Sequence, residues 1–391
     1  MDKLALSGIA HKMKVLIVGA GIAGLTAAAL LRRQGHRVAV IGAEPENIQK
    51  PVDYPITLWP HGARILHTLG LYEQYCCQST AIKTCVLYGR TGKLLNLYDL
   101  AGLSSRFDGP RTISRSKLIG LLRGALCDVD VHDNIRLLKS TELDKGVSLE
   151  LSDKTYDEAD VLIIADGNNP QVTERIGAKY ALRDTGWSCL SWWEDSQLGT
   201  EGENIEIWSA GCALSAASYE DRTGLSIYLP SEMVSSGLQV NSFDRLESLL
   251  QAYKLRKGTS LDGFTSKELT LHPMIDKRHP SWVSERVVLL GDAAISYLPG
   301  SETGASMALE SAAVLAEELS RASEKLVPIA LEYYVRRRKA RSEFVQNQAR
   351  AIMSFKLARS SRYARIRDTL VRFHDMRQLL GPKIGLLNQP I

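Results

Sequence analysis

A glycine-rich turn near the start of the chain restricts the possible folds more than any other feature. The run KVLIV at residues 14–18 is followed by GAGIAG and then by LTAAALLRRQ. A continuous apolar run is typical of a buried parallel strand, and the alanine- and leucine-rich segment has helical spacing. Gly35 suits the position after a helix, and HRVAVI at 36–41 supplies a second strand. The sequence therefore predicts a right-handed strand–helix–strand unit.

The spacing of the glycines in this turn indicates a dinucleotide site. In the pattern G-x-G-x-x-G, the first glycine makes the turn, the second lets a pyrophosphate approach the backbone, and the third lets helix and strand pack closely. The helix N-terminus adds unpaired N–H groups and the positive end of its dipole. The alternative is a tight turn that binds no ligand. The candidate binding residues are Gly19, Ala20, Gly21, Ile22, Ala23 and Gly24.

Two later strands of the same buried type end in carboxylates. DVLIIADG ends in Asp166-Gly167, and RVVLLGD ends in Asp292. Between them, residues 187–228 alternate in polarity, with glycine and serine at the turns, which is typical of an antiparallel sheet. Beyond about residue 303 the pattern is helical. The sequence thus predicts an α/β nucleotide-binding domain that is interrupted by a mostly antiparallel domain.

Several classes of protein are disfavoured by motifs that the sequence lacks. It has no G-x-S-x-G elbow, no H-E-x-x-H zinc motif and no G-x-x-x-x-G-K-[ST] phosphate loop. The six cysteines include no C-x-x-C pair, which favours reduced thiols, a cytoplasmic location and no bound metal. No run approaches the ~18 apolar residues of a transmembrane helix, so we expect no integral membrane association.

The C-terminal part of the chain is strongly basic. Residues 331–391 contain fourteen lysines and arginines but only four acidic residues, and apolar residues recur there at helical intervals. This pattern predicts a pair of amphipathic helices that pack on the body with a basic outer face. Contact with a nucleic acid or an acidic membrane is the alternative, although we expect no nucleic-acid partner.

Taken together and in order, the glycine turn and the two strand ends resemble the three fingerprints of a known family. This family is the FAD-dependent aromatic hydroxylases, the single-component flavin monooxygenases typified by p-hydroxybenzoate hydroxylase. The resemblance spans most of the chain. It implies an α/β fold with a Rossmann-like FAD-binding domain of the glutathione-reductase type, an inserted and mostly antiparallel substrate-binding sheet, and C-terminal helices. Further stretches that resemble the family are LWPHGARILHTLGLYEQ (58–74), TISRSKLIGLL (112–122), EIWSAG (206–211) and YYVRRRKAR (333–341).

The resemblance also implies domain boundaries. We expect the FAD-binding domain to comprise residues 13–78, 108–180 and 280–325. The substrate-binding domain would comprise residues 79–107 and 181–279, and the C-terminal helices would occupy residues 326–391.

The resemblance implies roles for single residues. Asp292 would accept hydrogen bonds from the ribityl hydroxyls of FAD, Arg115 would face the flavin, and Asp166 would contact the cofactor. The remaining candidates are the backbone N–H groups of Gly304, Ala305 and Ser306, which would stabilise negative charge on reduced flavin. NAD(P)H, as a transient co-substrate, would reduce the flavin, and O₂ would add at C4a to give a hydroperoxide. One oxygen atom would then hydroxylate or epoxidise an aromatic or polycyclic small molecule.

Three departures from the family's pattern affect these expectations. Gly42 stands where a carboxylate for the FAD ribose is usual, and Glu44 is the nearest substitute, although it is equally well explained as a solvated loop acid. Tyr54 and its neighbours replace the glycines that cover the flavin. Glu302 replaces a glycine of the final loop. A carboxylate at the pyrimidine edge would disfavour anionic reduced flavin, so we expect Glu302 to point to solvent.

Aromatic residues of the expected substrate sheet suit a planar or polyketide-like substrate, although ordinary packing is the favoured explanation for any single one of them. They are Trp187, Trp192, Trp193, Trp208 and Tyr228. No group of residues identifies a general base, and His61 is the one candidate. The alternative functions are an FAD-dependent dehydrogenase or reductase without oxygen insertion, a flavin halogenase, which would need a W-x-W-x-I-P stretch, and a non-catalytic flavoprotein. A monomer and a homodimer both remain open.

Overall fold

The computed structural model of this chain describes residues 12–42, 53–101, 103, 106–126, 128–167, 181–197, 199–235, 269–376 and 385. The strands in these ranges are β1 (Lys14–Val18), β2 (Arg37–Ile41), β3 (Pro55–Leu58), β4 (Thr80–Ala81), β5 (Thr84–Gly89), β6 (Leu94–Asp99), β7 (Arg111–Ser114), β8 (Asp130–His132), β9 (Leu137–Leu143), β10 (Gly146–Leu151), β11 (Tyr156–Ala159), β12 (Val161–Ile164), β13 (Ala181–Glu194), β14 (Glu203–Ser209), β15 (Cys212–Tyr219), β16 (Arg222–Pro230), β17 (Thr270–Arg278) and β18 (Val287–Leu289). The helices are α1 (Ile22–Arg33), α2 (Pro60–Thr68), α3 (Tyr72–Cys77), α4 (Arg115–Gly124), α5 (Ser231–Ser235), α6 (Gly304–Ser320), α7 (Val327–Lys356) and α8 (Ser361–Phe373). Short 3₁₀ turns occupy Gly291–Ala293, Pro299–Ser301 and Glu324–Leu326.

The glycine turn and both carboxylate-ended strands belong to one parallel sheet. Its strand order is β18-β12-β1-β2-β8, and the neighbouring strands pair in parallel. The carboxyl ends of parallel strands lie at the same edge of a sheet, which is where ligands bind in open α/β folds. Gly19, Asp166 and Asp292 therefore converge at this edge, each just beyond the strand that precedes it. The predicted α/β core is confirmed.

Small side chains allow two helices to pack closely on this sheet. Ala27 and Ala28 of α1 and Ala312 of α6 are fully buried, and the two helices contact each other. Close packing of this kind needs residues without bulky side chains, as the alanine-rich sequence indicated. Helix α4 is capped at its N-terminus by Ser114, whose hydroxyl accepts a hydrogen bond of 3.2 Å from the N–H of Lys117.

The inserted part of the chain forms a larger sheet with the strand order β17-β13-β16-β15-β14-β5-β6. All of its neighbouring strands are antiparallel except β14 and β5, which pair in parallel. Two smaller sheets have the orders β11-β10-β9 and β3-β7-β4. A mostly antiparallel second sheet is thus confirmed, whereas the domain boundaries given above stay a prediction.

A buried charge cluster joins α2, α6 and α7. Glu310 is fully buried, and its carboxylate lies 3.2 Å from the buried Arg338, 2.8 Å from Arg341 and 4.0 Å from Arg64. Burial opposes ionisation of Glu310, but Arg338 and Arg341 outweigh it and lower its pKa. Burial, together with these arginines, lowers the pKa of the adjacent His61 to about 3, so its imidazole is neutral at pH 7.

Helices α7 (Val327–Lys356) and α8 (Ser361–Phe373) form in the basic, amphipathic part of the sequence as predicted, while the bounds 326–391 stay a prediction. Within the described ranges, we find no helix with the length and apolar character needed to cross a bilayer.

Candidate active site

A cavity of about 1360 Å³ extends from the glycine turn of the parallel sheet to the inner face of the seven-stranded sheet. Single small-molecule sites usually occupy ~300–1,000 Å³, so this cavity has room for a large cofactor together with a second molecule. Of the candidate residues, those that line it are Gly19, Ala20, Gly21, Ile22, Ala23, Arg115, Asp166, Asp292, Gly304 and Ala305.

The glycine turn has the shape that a pyrophosphate requires. Gly19 has a φ of +113°, and a Cβ there would overlap the backbone of Ala165. A Cβ on Gly24 would overlap the carbonyl oxygen of Gly19, so this glycine serves close packing and does not line the cavity. A Cβ on Gly21 would instead enter open space, and no side chain caps the helix that starts there. The first-turn N–H groups of α1 therefore suit a phosphate, and the residues present fit FAD.

The end of β2 leaves little room for the missing ribose carboxylate. A Cβ built on Gly42 would lie 2.9 Å from the Cβ of Ala20, which is closer than real Cβ contacts. An acidic side chain at residue 42 would therefore need Ala20 to move. Glu44 lies outside the described residues, and its role stays a prediction.

Two cations lie near the Asp292 carboxylate. Lys277 is 1% exposed, and its ammonium donates a hydrogen bond of 2.8 Å to the carbonyl oxygen of Gly167. Burial raises the pKa of Asp292, while Lys277 and Arg115 oppose that rise. Burial lowers the pKa of Lys277, whereas the nearby carboxylates of Asp292 and Asp166 raise it. Lys277, which the sequence analysis did not single out, thus links the two carboxylate-ended strands electrostatically.

Two aromatic side chains, Tyr54 and His272, lie beside Arg115. The guanidinium lies 5.6 Å from the centre of the Tyr54 ring, and this ring meets His272 edge to face at 4.4 Å. Both rings line the cavity. Burial and the nearby Arg115 lower the pKa of His272 to about 4, so its imidazole is neutral at pH 7. His272 is not recognisable from the sequence, because a single histidine in a strand forms no motif.

Helix α6 points its N-terminus at the cavity. Its first residues, Gly304 and Ala305, line the wall, and no side chain caps the helix. Ser306 is fully buried, and its hydroxyl accepts a hydrogen bond of 2.9 Å from the N–H of Trp59. The helix end therefore offers backbone N–H groups to an anion, whereas the Ser306 side chain fixes the start of α2.

Glu302 does not point to solvent, and the expectation that it would is wrong. It lines the cavity, and its carboxylate acts electrostatically on the phenols of Tyr228 and Tyr98. Burial raises the pKa of Tyr228 and of Tyr98 well above the ordinary value, and the Glu302 carboxylate raises both further. The backbone explains this direction: Glu302 has a φ of +55°, in the left-handed region, because the Pro299–Ser301 turn ends there.

This left-handed conformation predicts a stability difference between two variants at residue 302. Glu302→Ala and Glu302→Gly both remove the carboxylate, but only glycine adopts a positive φ without strain. We expect the glycine variant to have a free energy of unfolding about 0.5–1 kcal/mol higher than the alanine variant, after the greater chain entropy of glycine is deducted. Urea unfolding of the two variants measures the difference. Equal stabilities, or a more stable alanine variant, would contradict this view of the loop.

Hydroxyl groups, rather than indoles, form the sheet side of the cavity. Ser191 and Ser226 contact each other at 2.9 Å, and Ser215 and Tyr228 line the same wall. Strand alternation places Trp192 on the opposite face, in an apolar cluster. The expected aromatic lining is therefore corrected: of the five aromatic residues named above, Tyr228 is the one that lines the cavity.

The other indoles are held elsewhere. Trp193 donates a hydrogen bond of 3.0 Å to Asp53, Trp208 packs against Phe355, and Trp187 lies under Arg359. His61 is not among the residues that line the cavity, because it lies in the charge cluster between the helices. Within the part of the chain that the structure describes, no three histidine, cysteine or acidic side chains are close enough together to bind a metal ion.

Several named proteins are similar to this chain in sequence or in fold. Residues 12–349 match the family described as FAD binding domain. 3-Hydroxybenzoate 6-hydroxylase 1 of Aquipseudomonas alcaligenes is 29% identical over 360 residues, covering 87% of this chain and 89% of that protein. Asperlicin C monooxygenase of Petromyces alliaceus is 25% identical over 386 residues, covering 88% and 80%, respectively. The crystal structure of Klebsiella pneumoniae HpxO complexed with FAD and uric acid gives a TM-score of 0.79 at 21% identity, covering 96% of each chain.

Proposed function

We propose a reaction for this chain. The premise is that the chain belongs to the FAD binding domain family and is an FAD-dependent monooxygenase. The reaction is hydroxylation or epoxidation of a planar aromatic or polycyclic small molecule, with NAD(P)H as a transient reductant and O₂ as the oxygen source. The relatives described above are named for 3-hydroxybenzoate and for asperlicin C.

The observation that carries this proposal is the continuity of the cavity. One cavity joins the glycine turn, which fits FAD, to a wall of hydroxyl groups on the second sheet. When bound, FAD supplies the redox chemistry, in which NAD(P)H provides electrons and one atom of O₂ reaches the substrate. The enclosing sheet excludes water and places the substrate next to the cofactor.

The proposed roles of the residues follow from their places in this cavity. The amides after Gly21 hold the pyrophosphate, and Asp292 accepts hydrogen bonds from the ribityl chain. The N-terminus of α6, at Gly304, stabilises negative charge on the cofactor, and the Glu302 carboxylate on the same cavity opposes this effect. Ser191 and Ser226 orient the substrate.

The composition of the wall narrows the class of substrate. Small hydroxyl-bearing side chains such as Ser191, Ser215 and Ser226 leave space and offer both donors and acceptors. Buried polar groups must be paired, so a ligand against this wall should carry its own hydrogen-bonding groups. A ring system bearing hydroxyl, carbonyl or amide groups meets this requirement better than a plain hydrocarbon.

The decisive test uses labelled oxygen. Purified protein is incubated with FAD, NAD(P)H, ¹⁸O₂ and a panel of polar aromatic and polycyclic compounds. We expect one labelled oxygen atom in the product, and substrate-dependent oxidation of NAD(P)H. The Ser226→Val variant should keep its FAD absorbance but show a higher KM, because valine fills the wall and removes a hydroxyl.

Two results would count against this proposal. A product without label, or turnover that continues at the same rate without O₂, would indicate a dehydrogenase. If the KM of Ser226→Val were unchanged with every accepted substrate, the serine wall would not be part of the substrate site. This result would not contradict the oxygenase reaction itself.

A further inference from the structure

Helix α8 leaves an apolar stripe uncovered at the surface. Tyr363, Ile366, Leu370 and Phe373 are 69, 56, 45 and 77% exposed, respectively. Their spacing of three, four and three residues puts them on one side of a helix that turns about 100° per residue. The side that packs on the body is a different one, since Ala364, Arg367 and Val371 are the buried residues of this helix.

A third side of the same helix is basic. Arg362, Arg365 and Arg372 are exposed and fall between the apolar stripe and the packed side. No carboxylate in the described part of the chain forms an ion pair with these three arginines. Asp368, the acidic residue of this helix, pairs with Arg367 instead. The helix thus has a packed side, an exposed apolar side and an exposed cationic side.

The helix is held firmly enough to present these sides to a partner. The Arg367 guanidinium donates hydrogen bonds to the carbonyl oxygens of Lys356 and Ser209, at 2.7 and 3.2 Å. The amide of Asn96 on the neighbouring strand β6 donates to the carbonyl oxygens of Val371 and His374, at 2.6 and 3.0 Å. A stripe fixed in this way cannot turn inward to bury itself.

The charges argue against a second copy of the chain as the partner. In an antiparallel pair of identical helices related by a two-fold axis, each flank of the apolar stripe meets the same flank of the other copy. The arginine-bearing flanks of the two helices would then face each other, with the residue order reversed. Like charges in such positions are repulsive, and this helix offers no free carboxylate to compensate.

We propose that α8 is a peripheral binding surface for anionic lipid. The apolar stripe enters the boundary between headgroups and acyl chains, and the adjacent arginines contact the phosphates. A helix with exposed aromatic and aliphatic residues beside a row of arginines has the composition of helices that lie in a membrane interface. The body of the protein stays outside the bilayer, in agreement with the lack of a membrane-spanning helix in the described ranges.

Sedimentation of the full-length protein with lipid vesicles tests this surface. We expect binding to vesicles of phosphatidylcholine mixed with phosphatidylglycerol, weak binding to phosphatidylcholine alone, and release at high salt. Arg362→Gln and Arg365→Gln should each weaken binding about fivefold. The double variant Ile366→Ser/Leu370→Ser should abolish it, with FAD content and thermal midpoint unchanged because both side chains are exposed.

Matched controls come from helix α7. Ile329, which is 51% exposed, and Arg336, which pairs with Glu332, are a comparable apolar residue and a comparable cation outside the stripe. Ile329→Ser and Arg336→Gln should bind vesicles like the wild type. Failure of the wild type to sediment with anionic vesicles would overturn the proposal. The proposal would also be overturned if the wild type eluted as a dimer in size-exclusion chromatography and a stripe variant eluted as a monomer while still binding vesicles.

Discussion

The Asp292→Ala variant is expected to lose most of its bound FAD. Asp292 is the carboxylate that the third fingerprint places at the cavity wall, near enough to Lys277 and Arg115 for both cations to act on it. A hydrogen bond to a charged acceptor contributes roughly 1.5–3 kcal/mol, which corresponds to roughly 10- to 150-fold in affinity for each bond lost. Titration of the apoprotein with FAD, followed by flavin fluorescence, measures the change.

Two companion variants separate cofactor binding from folding. Asp292→Asn keeps an acceptor oxygen of similar size, so its FAD affinity should fall between those of the wild type and the alanine variant. Removal of Asp292 also leaves Lys277 with less compensation in a buried position, which destabilises the apoprotein. Combining Asp292→Ala with Lys277→Met should restore apoprotein stability but not FAD affinity. Unchanged affinity in Asp292→Ala would show that the ribityl chain lies elsewhere.

The Glu310→Gln variant is expected to lose about 3–5 kcal/mol of unfolding free energy, the usual cost of removing one partner from a buried ion pair. Glutamine keeps the shape but leaves Arg338, which is fully buried, and Arg341 without a counter-charge. Glu317→Gln is the matched control: Glu317 lies on the same helix, and its surface pairs with Arg321 and Arg337 contribute about 0–1 kcal/mol. Urea unfolding of both variants at pH 7 measures the difference.

The same cluster predicts a dependence on pH. The pKa of Glu310 is lower in the folded protein than its ordinary value, so its ion pairs stabilise the fold above the unfolded-state pKa of about 4.3. This stabilisation is lost as the pH falls through the folded-state pKa. The stability gap between the wild type and Glu310→Gln should therefore narrow below about pH 4. A gap that stays constant down to acid pH would mean that Glu310 is not ionised in the fold.

The cofactor half of the site was predictable because its requirements are local. A phosphate cradle needs Gly19, Gly21 and Gly24 at fixed spacing between a strand and a helix, and that spacing is visible in one sequence. The role expected of Asp292 rests on the resemblance to the family, and the structure places this residue in the wall of the same cavity. These residues meet in space because all parallel strands present their carboxyl ends to one edge.

The substrate half was harder to predict because it depends on which face of a sheet each residue occupies. The alternation Cys189-Leu190-Ser191-Trp192 contains the needed signal, since Ser191 must face the same side as Cys189 and the opposite side from Trp192. The predicted aromatic lining was based on the type of residue in these strands and not on this alternation. Glu302 was misjudged because the left-handed backbone that turns it inward depends on the preceding Pro299–Ser301 turn. Lys277 and His272 lie in β17, far along the chain from the glycine turn, so only the assembled sheets bring His272 to the cavity and Lys277 near Asp292.

The order of strands in the parallel sheet has a consequence for synthesis of the chain. Val15 pairs with Val161, and Leu162 pairs with Val287, so the three strands that end at the cofactor site come from distant parts of the sequence. Contacts between such distant segments form slowly, because long loops must close before the contacts stabilise them. A nascent chain cannot complete the cofactor site until Asp292 has left the ribosome. FAD can therefore stabilise only the last stage of folding, and a shortage of the cofactor would affect newly completed chains rather than shorter nascent ones.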